Sequence, residues 1–310
     1  MTGLGNIIRG FAAEIRPIPM TLCLITVVFG SVLAAGPMVD WNLLSLVFLN
    51  AFLYLYTAHL NDTMFDIIKG EYERGRELHA VRVNNTAYLP RLGFGLEVPN
   101  APLLPRNCYL TGILTCSILG TLIAVWISEM VGWFYLPLAL IGLALALTYS
   151  AGLDKVPALG DTMWETGVIA ALFCGYYAMK GTIDFSIMQT AAGLFIALAG
   201  VKVLDGWYDV ATDSKISKMT LPVFLHSKGV GLEPIRDLGY GLIYVTMMLL
   251  LAQLPPPFYP GIIGGSLIVV FSHLYYRGRD MEKRLGLTVG GFGLLTFIFW
   301  AIFTILGFSM

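Results

Sequence analysis

The sequence predicts an all-α, polytopic membrane protein: a bundle of nine transmembrane helices in two four-helix halves plus one, with a cytoplasmic cap over a central cavity. Three observations predict it. The 310 residues are 57% hydrophobic and only 13% charged, where soluble domains carry about 25% charged residues, and mean hydropathy is +0.75. Positive charge is confined to alternate loops. Two acidic motifs recur at matching offsets, each at the end of an apolar run.

The apolar spans are read at 18–36, 42–60, 108–128, 132–149, 163–180, 186–204, 238–254, 258–276 and 286–308. Each is near the ~20 residues that cross a hydrocarbon core. The first is full length and follows Arg9 and Arg16, so no cleavable signal peptide is read. With the N-terminus cytoplasmic, every Lys and Arg of the 19 except Lys180 falls on the inner side. This positive-inside bias predicts N-in, C-out topology. The whole chain, 1–310, is then one transmembrane domain, and the long polar segments 61–107 and 205–237 form the cap.

Several function classes drop out. Cys23, Cys108, Cys116 and Cys174 form no CxxC pair and read as buried thiols. His59, His79, His226 and His273 are scattered. There is no phosphate-binding glycine loop, no nucleotide-binding unit and no basic stripe for nucleic acid. The sequence does not fix an oligomeric state.

The first motif is "NDTMFD", residues 61–66, after the second span; the second lies in "VLDGWYDVATD", residues 203–213, after the sixth. Asp62 and Asp66 share a helix face. Asp205, Asp209 and Asp213 form a stripe of about 12 Å. Acids at helix C-termini oppose the helix dipole, so solvated helix ends are the weaker reading. Clustered carboxylates at a low-dielectric boundary need cations. Hard oxygen ligands without His or Cys point to Mg²⁺, shared with substrate phosphate oxygens. The recurrence after the second and sixth spans predicts a site where two halves face each other.

The 61–107 segment is too long for an ordinary connection. It carries Arg74, Arg76, Arg82, Arg91 and Arg106 together with Pro90, Pro99, Pro102 and Pro105. It reads as a lid that excludes water, or else as a disordered loop. Lys202 precedes the acidic stripe by one turn and is either a diphosphate ligand or a snorkelling anchor. Lys215 and Lys218 follow it. Phe65, Trp207 and Tyr208 lie near the acids in sequence and, with Tyr149 at the end of the fourth span, offer aromatic faces to a cation.

Together these motifs resemble the UbiA superfamily of intramembrane prenyltransferases. "NDTMFD" is similar to its N-D-x-x-D element after helix 2, and Asp209 with Asp213 to its D-x-x-x-D element after helix 6. Thr220-Leu221-Pro222, "RPIP" at 16–19 and "YSAGLDK" at 149–155 resemble further elements. The resemblance implies that Asn61, Asp62, Asp66, Asp209 and Asp213 hold Mg²⁺. It also implies that Arg16, Asn61, Tyr149 and Lys155 surround a prenyl diphosphate, with Lys155 and the four motif aspartates catalytic; closeness to the acidic stripe in sequence adds Lys202, Asp205, Tyr208 and Lys215 to that surround. The implied reaction moves a polyprenyl group from its diphosphate to an aromatic quinone precursor or a lipid acceptor.

The chain departs from the family in its first motif. The second acid stands at 66, with Phe65 where the family has it, and Asp205 is an extra acid. One residue is about 100° of helix rotation. Either the helix is locally rewound, or Asn61 and Asp62 take the main ligand roles and Asp66 acts through water. A terpene cyclase of the same superfamily and a cation-coupled transporter are the alternative readings.

Overall fold

The computed structural model describes residues 4–15, 17–68, 104–214, 219–253, 256–276 and 283–307, and among these there is no strand. The helices are α1 (Leu4–Ala13), α2 (Pro17–Ala35), α3 (Trp41–Ile68), α4 (Arg106–Val131), α5 (Tyr135–Thr148), α6 (Leu159–Lys180), α7 (Phe185–Asp213), α8 (Leu221–Ser227), α9 (Leu232–Gln253), α10 (Tyr259–Tyr276) and α11 (Lys283–Ile305). Each apolar span read from the sequence coincides with one of α2–α7 or α9–α11. Six of these regions are long and apolar enough to cross a membrane: Met20–Met38, Trp41–Phe65, Arg106–Val131, Phe185–Trp207, Leu232–Ala252 and Pro256–Leu274. The chain is an integral, multi-pass membrane protein.

The other three spans fall short for different reasons. α5 is only 14 residues long and continues as a 3₁₀ turn, Tyr149–Ala151. In α11, only Gly293–Ile305 counts as a short apolar stretch. α6 carries Asp161 and Glu165 and is less apolar, because most of its residues are buried against α2, α3, α5 and α7 rather than facing lipid. Protein neighbours relax the demand for hydrophobicity that lipid imposes.

Small residues bring the helices together. A Cβ at Gly30 would lie 2.2 Å from the Leu172 carbonyl oxygen, and one at Gly175 2.2 Å from that of Val27, so α2 and α6 touch backbone to backbone. Gly200 of α7 and Gly239 of α9 make a similar contact. Lipid tails are as apolar as Leu, so close packing and interhelical hydrogen bonds replace the hydrophobic drive. Ser31 Oγ donates to the Gly175 carbonyl (3.1 Å), and Thr246 Oγ1 to that of Gly193 (3.1 Å). Asn50 Nδ2 donates to the Gly120 carbonyl (2.8 Å), joining α3 to α4.

Local chemistry sets the helix ends. Asp40 caps α3, its Oδ1 accepting from the amides of Asn42 (2.9 Å) and Leu43 (3.1 Å). Replacing Asp40 by alanine orphans these donors and is expected to cost about 1 kcal/mol, read as a lower thermal midpoint in detergent. Between α6 and α7, Gly181 takes the left-handed conformation (φ 72°) that only glycine adopts without strain. Asp184 then accepts from the Ile187 amide (3.1 Å). The Lys180 ammonium and the Tyr176 hydroxyl, each 2.6 Å away, hold the Asp184 carboxyl well below the usual carboxylate range.

Helix α1 was not read from the sequence. Ile7 and Phe11, one turn apart, pack against a small core of Leu60, Met64, Leu104, Tyr109 and Ile113. Leu4 and Ile8 stay exposed. Four bonds fasten this N-terminal region to the bundle. Tyr56 OH donates to the Phe11 carbonyl (2.6 Å), and His59 Nδ1 lies 3.2 Å from the Glu14 carbonyl. Thr63 Oγ1 donates to Glu14 Oε2 (2.7 Å) and Tyr109 OH to Glu14 Oε1 (2.9 Å).

Candidate active site at the acidic end of the bundle

A cavity of about 340 Å³ opens between α2, α3, α5, α6 and α7. Its body is lined by small and aliphatic residues, among them Ala51, Leu55, Ala58, Leu138 and Ala171. Its polar mouth holds His59, Asp62, Tyr149, Trp164, Lys202 and Asp205. Asp62 sits six residues before the end of α3 and Asp205 in the last third of α7. Both helices continue unbroken past the acids, so two motifs distant in sequence meet at one opening.

Asp62 Oδ1 accepts from Ser150 Oγ (3.0 Å). Ser150 is placed by the 3₁₀ turn 149–151, which also sets Tyr149 at the mouth. Asn61 is buried beside it. Its Nδ2 donates to the Ala146 and Leu147 carbonyls, 3.1 Å each, and so ties the end of α5 to α3. Across the mouth, Lys202 Nζ lies 2.9 Å from Asp205 Oδ2 and 5.9 Å from the centre of the Trp164 ring. The Lys202 side chain is 18% exposed and that of Asp205 45%.

The structure brings Asp62, Tyr149, Lys202 and Asp205 to one mouth. Asn61 stands behind it, anchoring α5. Lys155 is exposed on the turn Leu153–Lys155 and does not line the cavity. Asp213 is the last residue of α7 and half-buried, also away from the lining. By backbone register, Asp66 lies one turn beyond Asp62, and Tyr208 and Asp209 about one turn beyond Asp205. The side chains of these three lie outside the described residues. So do Arg16, Lys215, Lys218 and the segment 69–103 with Arg74, Arg76, Arg82 and Arg91. Among the described residues no group of three His, Cys, Asp or Glu forms a ready metal cage. Helix α3 is α-helical throughout 61–68, with no rewound turn at the altered motif.

Two aromatic expectations are corrected. Phe65 packs against the Leu60–Tyr109 core, and Trp207 is buried with Val203 and Ile235, both away from the cavity. One residue along a helix is about 100° around it, so a neighbour of an acid in sequence faces elsewhere. Sequence reading missed Trp164 and His59. Trp164 stands in "DTMWE", residues 161–165, where Asp161 and Glu165 put a third acidic pair at the same end of the bundle.

The Thr220-Leu221-Pro222 element has a structural task. Thr220 Oγ1 accepts from the Val223 amide (3.4 Å) and Asp161 Oδ2 from the Leu221 amide (2.8 Å), so α8 starts against α6. A Cβ at Gly206 would lie 2.9 Å from Pro222 Cγ, so the same element packs on α7 beside Asp205.

No curated protein matches the chain in sequence. Solved structures do match in fold. A UbiA homologue from Archaeoglobus fulgidus bound to DMAPP and Mg²⁺ superposes with a TM-score of 0.67 at 17% identity, covering 96% of this chain and 99% of that one. A structure described for digeranylgeranylglyceryl phosphate synthase in membranes gives 0.59 at 16% identity, covering 97% and 99%. An apo UbiA homologue from Aeropyrum pernix K1 gives 0.58 at 15%, covering 89% and 96%. With two acidic helix ends converging on one apolar cavity, and with residues 23–288 matching the model of the UbiA prenyltransferase family, this chain belongs to that family.

Proposed function

We propose that this protein is a Mg²⁺-dependent intramembrane prenyltransferase. It ionises a prenyl diphosphate and transfers the prenyl group to an aromatic or lipid acceptor, releasing pyrophosphate. The observation that carries the reading is the cavity: a largely apolar body in the bundle with its carboxylates and its lysine confined to one mouth. An amphiphile with a charged head and a hydrocarbon tail matches that division. The A. fulgidus homologue, solved with DMAPP or GPP and Mg²⁺, supports the same ligand class here.

The donor set fits a hard divalent cation. Asp62 presents oxygen ligands at the mouth, Asn61 and Asp66 lie beside it on α3, and Asp209 and Asp213 lie on the turns of α7 beyond Asp205. When bound, Mg²⁺ supplies charge neutralisation of the diphosphate. The protein's own groups do the rest. Ser150 orients the Asp62 carboxylate. Lys202, now paired with Asp205, is within side-chain reach of a diphosphate in the mouth and stabilises the leaving charge as the allylic C–O bond breaks. The faces of Tyr149 and Trp164 attract the developing carbocation. The aliphatic body holds the tail and keeps water from the cation.

The mouth faces the cytoplasm in this reading, with the N-terminus inside and the C-terminus outside, as the positive-inside bias requires. Nine helices then span the membrane. The end of α3, the turns at 149–155, the end of α7 and α8 form the described part of the cap. A lumen walled by alanine, leucine and glycine rather than a closed aromatic bowl favours transfer over cyclisation. Helices unbroken past the acids favour an enzyme over a transporter, whose sites sit at broken helices near the midplane.

The test uses purified protein in lipid nanodiscs with prenyl diphosphates of five to twenty carbons. Mg²⁺-dependent pyrophosphate release, abolished by chelator and accompanied by a prenylated acceptor, is the expected result. No release from any donor would sink the reading. A cyclised product formed without acceptor would replace transferase by cyclase.

A further inference from the structure

At the end away from the acids the cavity lining runs to Asn50. Asn50 stands there on α3, 2% exposed, and its two hydrogen bonds run to different helices. It donates to the Gly120 carbonyl of α4 and accepts from the hydroxyl of Tyr135 at the start of α5 (3.0 Å). Tyr135 is fully buried. Tyr54, one turn nearer the mouth, is within 3.2 Å of Thr121 Oγ1 on α4. These bonds lock α3, α4 and α5 across the far end. A chain pressing on this floor would have to break buried polar pairs, which is unfavourable because their partners would be left unsatisfied.

Floor and mouth lie on the same straight helix, which gives a ruler. From Asn50 to Asp62 the rise is about 18 Å at about 1.5 Å per residue. An extended isoprene repeat, four carbon–carbon bonds of about 1.5 Å, advances about 5 Å. The lumen therefore holds between three and four repeats below a diphosphate at the mouth.

Two glycines set the bore. Both line the cavity, on α5 and α6. A Cβ at Gly167 would meet nothing within 4 Å, and one at Gly142 only Tyr54 Cδ2, at 4.0 Å. Larger side chains there have nowhere to go but the lumen. Gly142 lies about 10 Å along α5 from Tyr149 at the mouth, level with the end of a second isoprene repeat.

Resting on the prenyl diphosphate reading of the site, we infer that the donor is limited to about four isoprene units (twenty carbons). The Asn50–Tyr135 pair is the stop, and Gly142 is the residue whose size decides how much of the lumen a tail can use.

The test is pyrophosphate release from donors of 10, 20, 30 and 45 carbons, each with Mg²⁺ and acceptor. In the wild-type protein, kcat/KM should fall at least tenfold between the 20- and 30-carbon donors. In Gly142→Leu, the ratio of 20-carbon to 10-carbon turnover should fall at least tenfold. Gly142→Ala, one carbon larger and easily folded, should move that ratio the same way by a smaller factor. Equal turnover of 20- and 45-carbon donors would overturn the inference while leaving the enzyme reading intact, because it would mean that the tail leaves sideways into lipid. An unchanged ratio in both glycine variants would also overturn it. Turnover of no donor at all would remove the functional reading beneath it.

Discussion

Asp62→Ala is expected to lower pyrophosphate release at least about a hundredfold, the scale of losing one aimed electrostatic group in a water-poor site. Asp62 lies at the mouth of the cavity, and its carboxylate is held in place by Ser150. Its removal takes away a charged oxygen donor at the mouth and the acceptor of the Ser150 hydroxyl. Asp62→Asn keeps the shape and the Ser150 contact but not the charge, so it should lose nearly as much if charge is what matters. Asp209→Ala should show a comparable loss. Near-wild-type turnover in both alanine variants would mean that the acidic ends are not the reaction centre. Asp205 adds a finer comparison. The motif resemblance leaves it outside the metal set, whereas the structure pairs it with Lys202 in the mouth. Asp205→Ala should therefore weaken donor binding through a misplaced Lys202, raising KM more than it lowers kcat.

The second large effect concerns the fold. Gly30→Ala and Gly175→Ala together should lower the thermal midpoint by roughly 10 °C or prevent recovery of monodisperse protein. Each new Cβ would lie 2.2 Å from a backbone oxygen of the facing helix. No rotamer change relieves a clash with backbone, so α2 and α6 must separate. Overpacking of this kind costs about 1–3 kcal/mol per site and sometimes more. Separation also stretches the bond from Ser31 to Gly175 and the contact of Thr26 Oγ1 with the Val168 carbonyl (3.4 Å). The same two helices carry Cys23, Val168, Ala171 and Cys174 of the cavity wall, so substrate binding should fail with the fold. Gly241→Ala is the control, since a Cβ there meets nothing within 4 Å. A double variant as stable as this control would refute the close-packing account.

Hydropathy made the long helices legible because lipid demands apolar residues over a fixed length. It read α6 most weakly because α6 answers to protein neighbours, and it missed α1 because ten residues with one apolar edge resemble any polar leader. The mouth was legible through its acids, since carboxylates at the ends of apolar helices have few structural reasons to be there. Asp62, Lys202 and Asp205 were picked out in that way, and Tyr149 by the element at 149–155. Trp164 and His59 were not, because His59 precedes the first motif and the acids around Trp164 belong to neither motif; they matter only where helices converge. Phe65 and Trp207 are close to the acids along the chain and yet pack outside the cavity lining. Asn61 is a middle case. The motif marks it as a metal ligand, and the structure adds a role as the clasp of α5.

The fastening of the N-terminal region to α3 has a consequence for the altered acidic motif. Tyr56, His59 and Thr63 stand about one turn apart, and each is tied to Phe11 or Glu14. They act as dowels that fix the azimuth of the helix. To swing the acid at 66 to the bearing that an acid at 65 would have, α3 would have to roll by about 100° and shear all three ties. The bearing of Asp62 is thus set before any ligand arrives. Were a metal ion and a diphosphate to bind there, as proposed, adjustment would fall to the ion's water shell and to the diphosphate rather than to the helix.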